Sequence, residues 1–395
     1  MNGLYQRGHP VSIFDHGGIV LYLREEMKTE NKNITVAVGM SGGVDSSVAA
    51  VLLINEGFNV IGITMKTYDY MEVGGAGPNE SSCCDLRAVM DAHAVAEKLG
   101  FPHFVVNLRE EFRTAVIDNF ADEYLKGRTP NPCVICNRKI KFGALLEKAQ
   151  EHGAQYIATG HYARVRFDQN RNRHILSTGK YAEKDQSYAL WAVTQEALGR
   201  TKFPLGEMTK PEVRDLAEQY GLINARKHES YEICFVPDDH YERFLNERYP
   251  DLKSKVAGGA LIQEGKVVGQ HLGYPYYTIG QRRNIGAHGK KMYVTEIDSK
   301  TNTIKIGTDE QLHHRTLIAG QVNWSGIEGI DNSLHVQARV RYKDTGTDAL
   351  LSSAEDGKIK VIFDQSKRAI TPGQSVVVYD GDDVLCGGVI EQVLD

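Results

Sequence analysis

The chain has 395 residues, 41% of them hydrophobic and 25% charged, with a formal net charge of −5 at pH 7. That length implies two or three domains, and the composition is that of an ordinary soluble globular protein. The charge balance excludes a globally basic nucleic-acid coat but leaves room for a local basic face, and six cysteines are too few for a secreted disulfide scaffold. No apolar run is long enough to cross a bilayer, so a cytoplasmic protein without membrane contact is expected.

Residues Met1–Asn33 read as an N-terminal extension that is poorly ordered and takes no part in catalysis. Its apolar IVLYL stretch lacks a basic start or a cleavage pattern, and Met27 offers an alternative start. Alternation over Ile34–Met40 predicts a buried strand, after which Ser41-Gly42-Gly43-Val44-Asp45-Ser46 turns into a helix ending at Gly57. Strand, glycine loop and helix N-terminus in that order make an anion cradle, because glycines allow close backbone approach and the N–H groups and helix dipole favour phosphate oxygens. The loop is neither a Walker A motif nor GxGxxG.

Further on, strands are predicted at 59–67, 103–108 and 156–159, with helices at 85–99, 110–126 and 142–152. Such alternation predicts an α/β fold with a doubly wound parallel sheet, whose ligands bind at the carboxyl ends of the strands. Thr209-Lys210-Pro211-Glu212 is a capping box that starts another helix. Past Leu222 glycine-punctuated alternating runs take over, predicting a middle domain over 226–298 and an antiparallel β-barrel over 299–395, after a catalytic domain over 34–225.

Thr129–Phe142 (TPNPCVICNRKIKF) contains a CxxC, Cys133 and Cys136, beside Arg138, Lys139 and Lys141. The two prolines predict an extended loop, and the cations predict a lowered thiol pKa. CxxC alone fits half a zinc site, a redox pair or coincidence, and a third thiol, Cys234, stands in Ile233-Cys234-Phe235-Val236-Pro237. Cys83-Cys84 read as incidental and Cys386 as a core residue. Arg282, Arg283, Lys290, Lys291, Arg339, Arg341 and Lys343 are candidate phosphate contacts, interleaved with Tyr276, Tyr277 and Tyr342. His161 suits either the nucleotide or a structural hydrogen bond beneath the loop.

The SGGxDS pattern resembles the loop of the ATP pyrophosphatases, in which the loop holds pyrophosphate and the Asp helps place magnesium. Read in order, GMSGGVDSSVAA, Thr64-Met65-Lys66, GRTPNPCVICNRKIKF, YIATGHYARV, KDQSYAL, FPLGEMTKPEVR, ICFVP, YYTIGQRRNIG and ARVRYKD resemble the tRNA-specific 2-thiouridylases. That resemblance implies an adenine nucleotide alpha-hydrolase-like sheet domain, and ATP with Mg2+ at Gly39, Met40, Ser41, Gly42, Gly43, Val44, Asp45 and Ser46, with Met65 and Gly160 beside the nucleotide. It implies Cys136 as nucleophile and Cys234 as persulfide carrier, supplied by a sulfur-donor protein that a cysteine desulfurase feeds. Asn131, Pro132 and Cys133 would face the target base, and Lys184, Asp185, Gln186, Arg341 and Tyr342 would touch the anticodon stem-loop of a tRNA bound by a monomer. The sequence departs from many members at Cys133, where they carry aspartate. With cysteine there, Cys133, Cys136 and Cys234 could together ligate a [4Fe–4S] cluster, a rival to the persulfide relay. An amidating synthetase of the same superfamily, or a nucleotide-binding redox module, are the other readings.

Overall fold

A computed structural model describes residues 30–69, 86–227, 233–236, 238 and 240–394. Most of the expected extension, together with Cys83 and Cys84, lies outside the described residues. The first domain supplies seven strands: β1 (Thr35–Gly39), β2 (Asn59–Lys66), β3 (His103–Asn107), β4 (Tyr156–Ala158), β5 (Ala163–Asp168), β6 (Arg173–Thr178) and β7 (Thr201–Lys202). Five of these form a parallel sheet in the order β3-β2-β1-β4-β7. The strand order reverses between β1 and β4, so a crevice opens over their carboxyl ends, where Ser41–Ser46 and Gly160 lie.

The interior of β1 is buried on both faces, as a parallel strand covered by helices must be. One face, with Val36 and Val38 and then Met40, packs on Val48, Val51 and Leu53 of helix α1 (Val44–Asn55). The other meets a larger core that runs on into the middle domain through the rings of Phe112, Phe120, Phe235 and Phe244. Helix α2 spans Leu86–Leu99, and α3 runs over 109–125 with a π-wound segment at Arg113–Ile117.

The expected loop at 129–141 is instead mostly helix. Pro132 takes the first turn, and α4 continues over 132–151 with π-winding from Cys136 to Ala144. A proline lacks only an N–H that the first turn leaves unpaired, and its fixed φ suits a helix start. Pro132, expected to hold the segment extended, is therefore a helix initiator. The capping box at Thr209 forms as expected and opens α5 (Lys210–Gln219).

In the middle domain, α6 (Tyr241–Arg248) precedes a four-stranded sheet of β8 (Ala260–Gln263), β9 (Lys266–Gln270), β10 (Tyr293–Asp298) and β11 (Thr303–Gly307), in the order β10-β11-β8-β9. Six strands follow: β12 (His313–Asn323), β13 (Leu334–Arg339), β14 (Thr347–Ser353), β15 (Ile359–Arg368), β16 (Ser375–Asp380) and β17 (Asp383–Leu394). They close into an antiparallel barrel because β17 pairs with both β16 and β12. The sequence did not announce one connection. The β5–β6 hairpin of the first domain reaches the barrel sheet, with Ser177 opposite Asp383 of β17.

Candidate active site

The anion cradle begins where the chain leaves the sheet. Met40 N–H still donates to Ile63 O at 2.8 Å, and Gly42 then turns with φ +68°. A Cβ on Gly42 would stand 2.4 Å from Ala88 O, so this position combines a left-handed backbone with no space for a side chain. Gly43 is the N-cap of α1 and makes no side-chain cap, leaving the first N–H groups of the helix to a ligand. Ser46 Oγ donates to Gly43 O at 3.1 Å and accepts from Ser41 N at 3.3 Å, which folds the loop over the helix start. Gly160, two residues after β4, lies against this loop, where a Cβ would lie 2.8 Å from Asp45 C and Ser46 N. Half-buried Met65 closes the carboxyl end of β2 nearby.

Asp45 is held from two sides. Lys210 Nζ reaches its carboxylate oxygens at 2.7 and 2.9 Å, and Tyr162 O–H donates at 2.8 Å. Buried Asn224 donates to Gly42 O at 3.1 Å and to Ser47 Oγ at 2.8 Å, while Lys227 reaches Gly42 O at 3.3 Å and pairs with Asp91 at 2.7 Å. Sequence reading missed these props. Lys210 was visible only as part of a cap, and Asn224 and Lys227 lie some 180 residues from Gly42 in the chain. For magnesium the fit is good: one partly exposed carboxylate at the mouth of a phosphate cradle is a usual protein contribution to an octahedral, phosphate-bound ion.

His161 is buried just after β4, against Phe142 and Phe203. Lys141 Nζ lies 3.3 Å from its Nε2, and Thr159 Oγ1 lies 2.7 Å from its Nδ1. A lysine only donates, so Nε2 accepts and Nδ1–H is given to Thr159. Burial first, and Lys141 second, hold the His161 pKa well below the usual histidine value, so the ring is neutral.

Lys141 also belongs to α4, which carries the thiols. Cys133 is exposed as a whole residue, yet the protein around its thiol raises its pKa, and Lys141 opposes this without reversing it. The expected lowering by neighbouring cations is thus corrected for Cys133: desolvation outweighs the charge. Cys136 and Cys234 are half-buried at the margin of the same core, and neither is in a disulfide. The Cys234 segment is pinned by Tyr68, whose O–H donates to Cys234 O, and by Phe235 in the aromatic cluster. Cys386 is fully buried in the barrel core, and burial pushes its thiol up to about 12. Among the described residues, no group of three His, Cys, Asp or Glu side chains is placed to hold a metal ion. Cys133, Cys136 and Cys234 therefore do not fit a [4Fe–4S] cluster as they stand.

The residues expected at the tRNA divide. Pro132 is buried, Asn131 is half-buried, and Cys133, Arg341 and Tyr342 are exposed, with Arg341 donating to Arg368 O. Lys184 and Gln186 are half-buried, and Gln186 Oε1 accepts from Tyr162 N at 2.9 Å. Asp185 is buried and accepts from Gly179 N, Ser187 N, Ser187 Oγ and, at 2.7 Å, Arg339 Nη1. Its oxygens serve the fold. Arg339 lies over the Tyr379 ring at 4.4 Å, and Tyr276 and Tyr277 are core residues, so neither tyrosine is a stacking platform. Arg282, Arg283, Lys290 and Lys291 remain exposed, three of them around a surface hollow of about 510 Å³.

Comparison with known proteins bears on the whole chain. Residues 34–238 match the family described as tRNA methyl transferase HUP domain, 242–308 the tRNA methyl transferase PRC-barrel domain, and 314–390 the aminomethyltransferase beta-barrel domain. The chain is 51% identical to the tRNA-specific 2-thiouridylase MnmA of Salinibacter ruber over 92% of its own length and 96% of that protein's. Against the protein of the same name from Heliobacterium modesticaldum the identity is 50%, over 91% and 93%. For that of Amoebophilus asiaticus it is 48%, over 90% and 95%. With identities of this order spanning all three domains, the chain belongs to the tRNA-specific 2-thiouridylase MnmA family.

Proposed function

We propose that this protein is an ATP-dependent tRNA sulfurtransferase that converts the wobble uridine to 2-thiouridine, releasing AMP and pyrophosphate. The carrying observation is a phosphate cradle at Gly39–Ser46 in a chain that also presents Cys136 and Cys234 half-buried at one core margin. A uridine C2 oxygen is a poor leaving group. Its attack on the α-phosphorus of ATP forms a C–O–P linkage, breaks the bond to pyrophosphate and makes that oxygen part of AMP. Asp45, oriented by Lys210 and Tyr162, would hold magnesium, which neutralises charge on the phosphates when bound. The N–H groups at the start of α1 take the pyrophosphate oxygens, and Gly160 keeps the floor of the cradle open.

The outer sulfur of a Cys234 persulfide then attacks C2, and AMP departs with the oxygen. Cys136 thiolate attacks the Cys234 sulfur, breaks the S–S bond and leaves thiouridine with a Cys136–Cys234 disulfide, which an external thiol reduces. Neutral His161 accepts a hydrogen bond from Lys141 of the cysteine helix and so fixes where that side chain stands. A donor protein fed by a cysteine desulfurase supplies the sulfur, and the enzyme works as a cytoplasmic monomer. An anticodon-loop base is unpaired and can be splayed into the crevice at modest cost.

Purified protein with ATP, magnesium, unmodified tRNA and a sulfur source should form 2-thiouridine, read by mass spectrometry of digested tRNA. Cys136→Ser should lower thiolation by at least about a hundredfold. Pyrophosphate release that survives Cys136→Ser in full, with no 2-thiouridine formed by the unaltered protein, would favour an amidating synthetase, and no pyrophosphate with any tRNA would remove the enzyme reading.

A further inference from the structure

Residues 127–132 carry the chain from α3 into the helix of Cys136, and they lie where the three domains meet. Gly127 packs under β10, where a Cβ would be 3.1 Å from Ile297 Cγ2. The Thr129 hydroxyl pairs with that of Thr278. The barrel holds the other side. Thr129 N–H donates to Pro372 O at 2.9 Å, and Gln374 Nε2 donates to Thr129 O at 3.3 Å and Pro130 O at 2.8 Å. Gly373, between them, has φ +91°, and a Cβ there would meet Thr129 O at 2.6 Å. The barrel turn is shaped for this approach.

Pro130 and Pro132 have no N–H, so the segment makes little secondary structure of its own, and its carbonyls need outside donors. One carboxamide on another domain supplies two of them. The Gln374 backbone is itself fixed: its N–H donates to Thr371 O at 3.2 Å and its carbonyl accepts from Ile390 N at 2.8 Å. The side chain is thus a rigid peg that can be removed without opening the barrel.

We propose that Gln374 is a positioning residue for sulfur transfer, setting the start of α4 and so the placement of Cys136. This rests on the reading of Cys136 as the nucleophile. Once the Cys234 persulfide has joined C2, the base stays tethered to Cys234 through an S–S bond until Cys136 breaks it, so a misplaced thiol lowers the yield of free 2-thiouridine per ATP split. An ångström of misplacement is worth up to about a hundredfold in rate.

The test uses the full-length enzyme, persulfidated at Cys234 with sodium polysulfide and then desalted, with tRNA, ATP and magnesium in a single turnover, measuring free 2-thiouridine and pyrophosphate in the same reaction. Gln374→Ala, and the isosteric Gln374→Glu that cannot donate, should each lower the ratio of thiouridine to pyrophosphate about tenfold while pyrophosphate formation stays within about twofold. Iodoacetamide should modify Cys136 at an altered rate in both. An unchanged ratio, or both products falling in step, overturns the proposal. Cys136→Ser is run alongside: if it keeps the wild-type ratio, the reading of Cys136 fails, whatever Gln374 does.

Discussion

At the scale of single residues, the site is a set of charges whose states follow from burial and partners. His161 shows this most directly. In the unfolded chain it would take up a proton near its ordinary pKa of 6.5, whereas the folded ring resists protonation until well below that value. As pH falls through that window the unfolded state binds more protons, so folding stability is lost with acid and is fully present above about pH 7. His103 and His271 are lowered by burial too and add slope of the same sign. His161→Asn should therefore lose less melting temperature than the wild type between about pH 7.5 and about 5.5 while keeping part of the slope. Thermal unfolding followed at several pH values checks this, and equal slopes would refute the neutral, buried His161. The sequence offered His161 as either nucleotide contact or structural bond. Only the positions of Lys141 and Thr159, on α4 and just after β4, separate the two.

At the scale of elements, the phosphate loop was legible because its chemistry is local. Strand, glycine turn and helix start are contiguous, and each residue type has a backbone reason to be there. Gly42 and Gly100 make a controlled pair: both have positive φ, +68° and +77°, but only Gly42 has backbone atoms in the space of a Cβ. Gly100→Ala should cost only the left-handed strain, about 1 kcal/mol, and leave ATP binding unchanged. Gly42→Ala should cost about 2 kcal/mol more and weaken ATP binding at least about tenfold, measured by calorimetric titration. Equal effects at the two positions would mean that the contact with Ala88 is not decisive. The cysteine segment was less legible. Two prolines and a CxxC read as a loop, because proline both breaks helices and begins them, and the choice depends on what stabilises the first turn. Here Gln374 and Thr278, from two other domains, hold the approach to that turn.

At the scale of the whole molecule, the barrel is joined to the catalytic domain by buried contacts. Asp185 and Arg339 pair at 2.7 Å with little solvent access, Asn323 Nδ2 donates to Trp191 O and Val193 O, and Gly387 lies against the Trp191 ring, where a Cβ would come within 2.5 Å. Arg339→Met strips a nearly buried carboxylate of its cation and should lower stability by about 3 kcal/mol, seen as a lowered unfolding temperature. Adding Asp185→Asn should restore part of that loss, since the stranded charge is then gone. A double variant less stable than Arg339→Met would show that the pair is not the unit responsible. Asp185 is expected at the tRNA only through the family resemblance of the KDQSYAL stretch. Its burial is decided by Arg339, more than 150 residues away.

The sequence by itself determined the parallel α/β class, the phosphate loop, the thiols available for chemistry and the barrel at the end of the chain. These follow from backbone geometry and hydrophobic period within a few consecutive residues. Tertiary structure alone decided that Lys210 and Tyr162 hold Asp45, that Asp185 is a strut, that Cys133 is raised by its surroundings, and that the barrel sets the start of the Cys136 helix. Each of these depends on side chains brought together from distant parts of the chain, where burial and the nearest partner, and no local propensity, fix the charge and the bond.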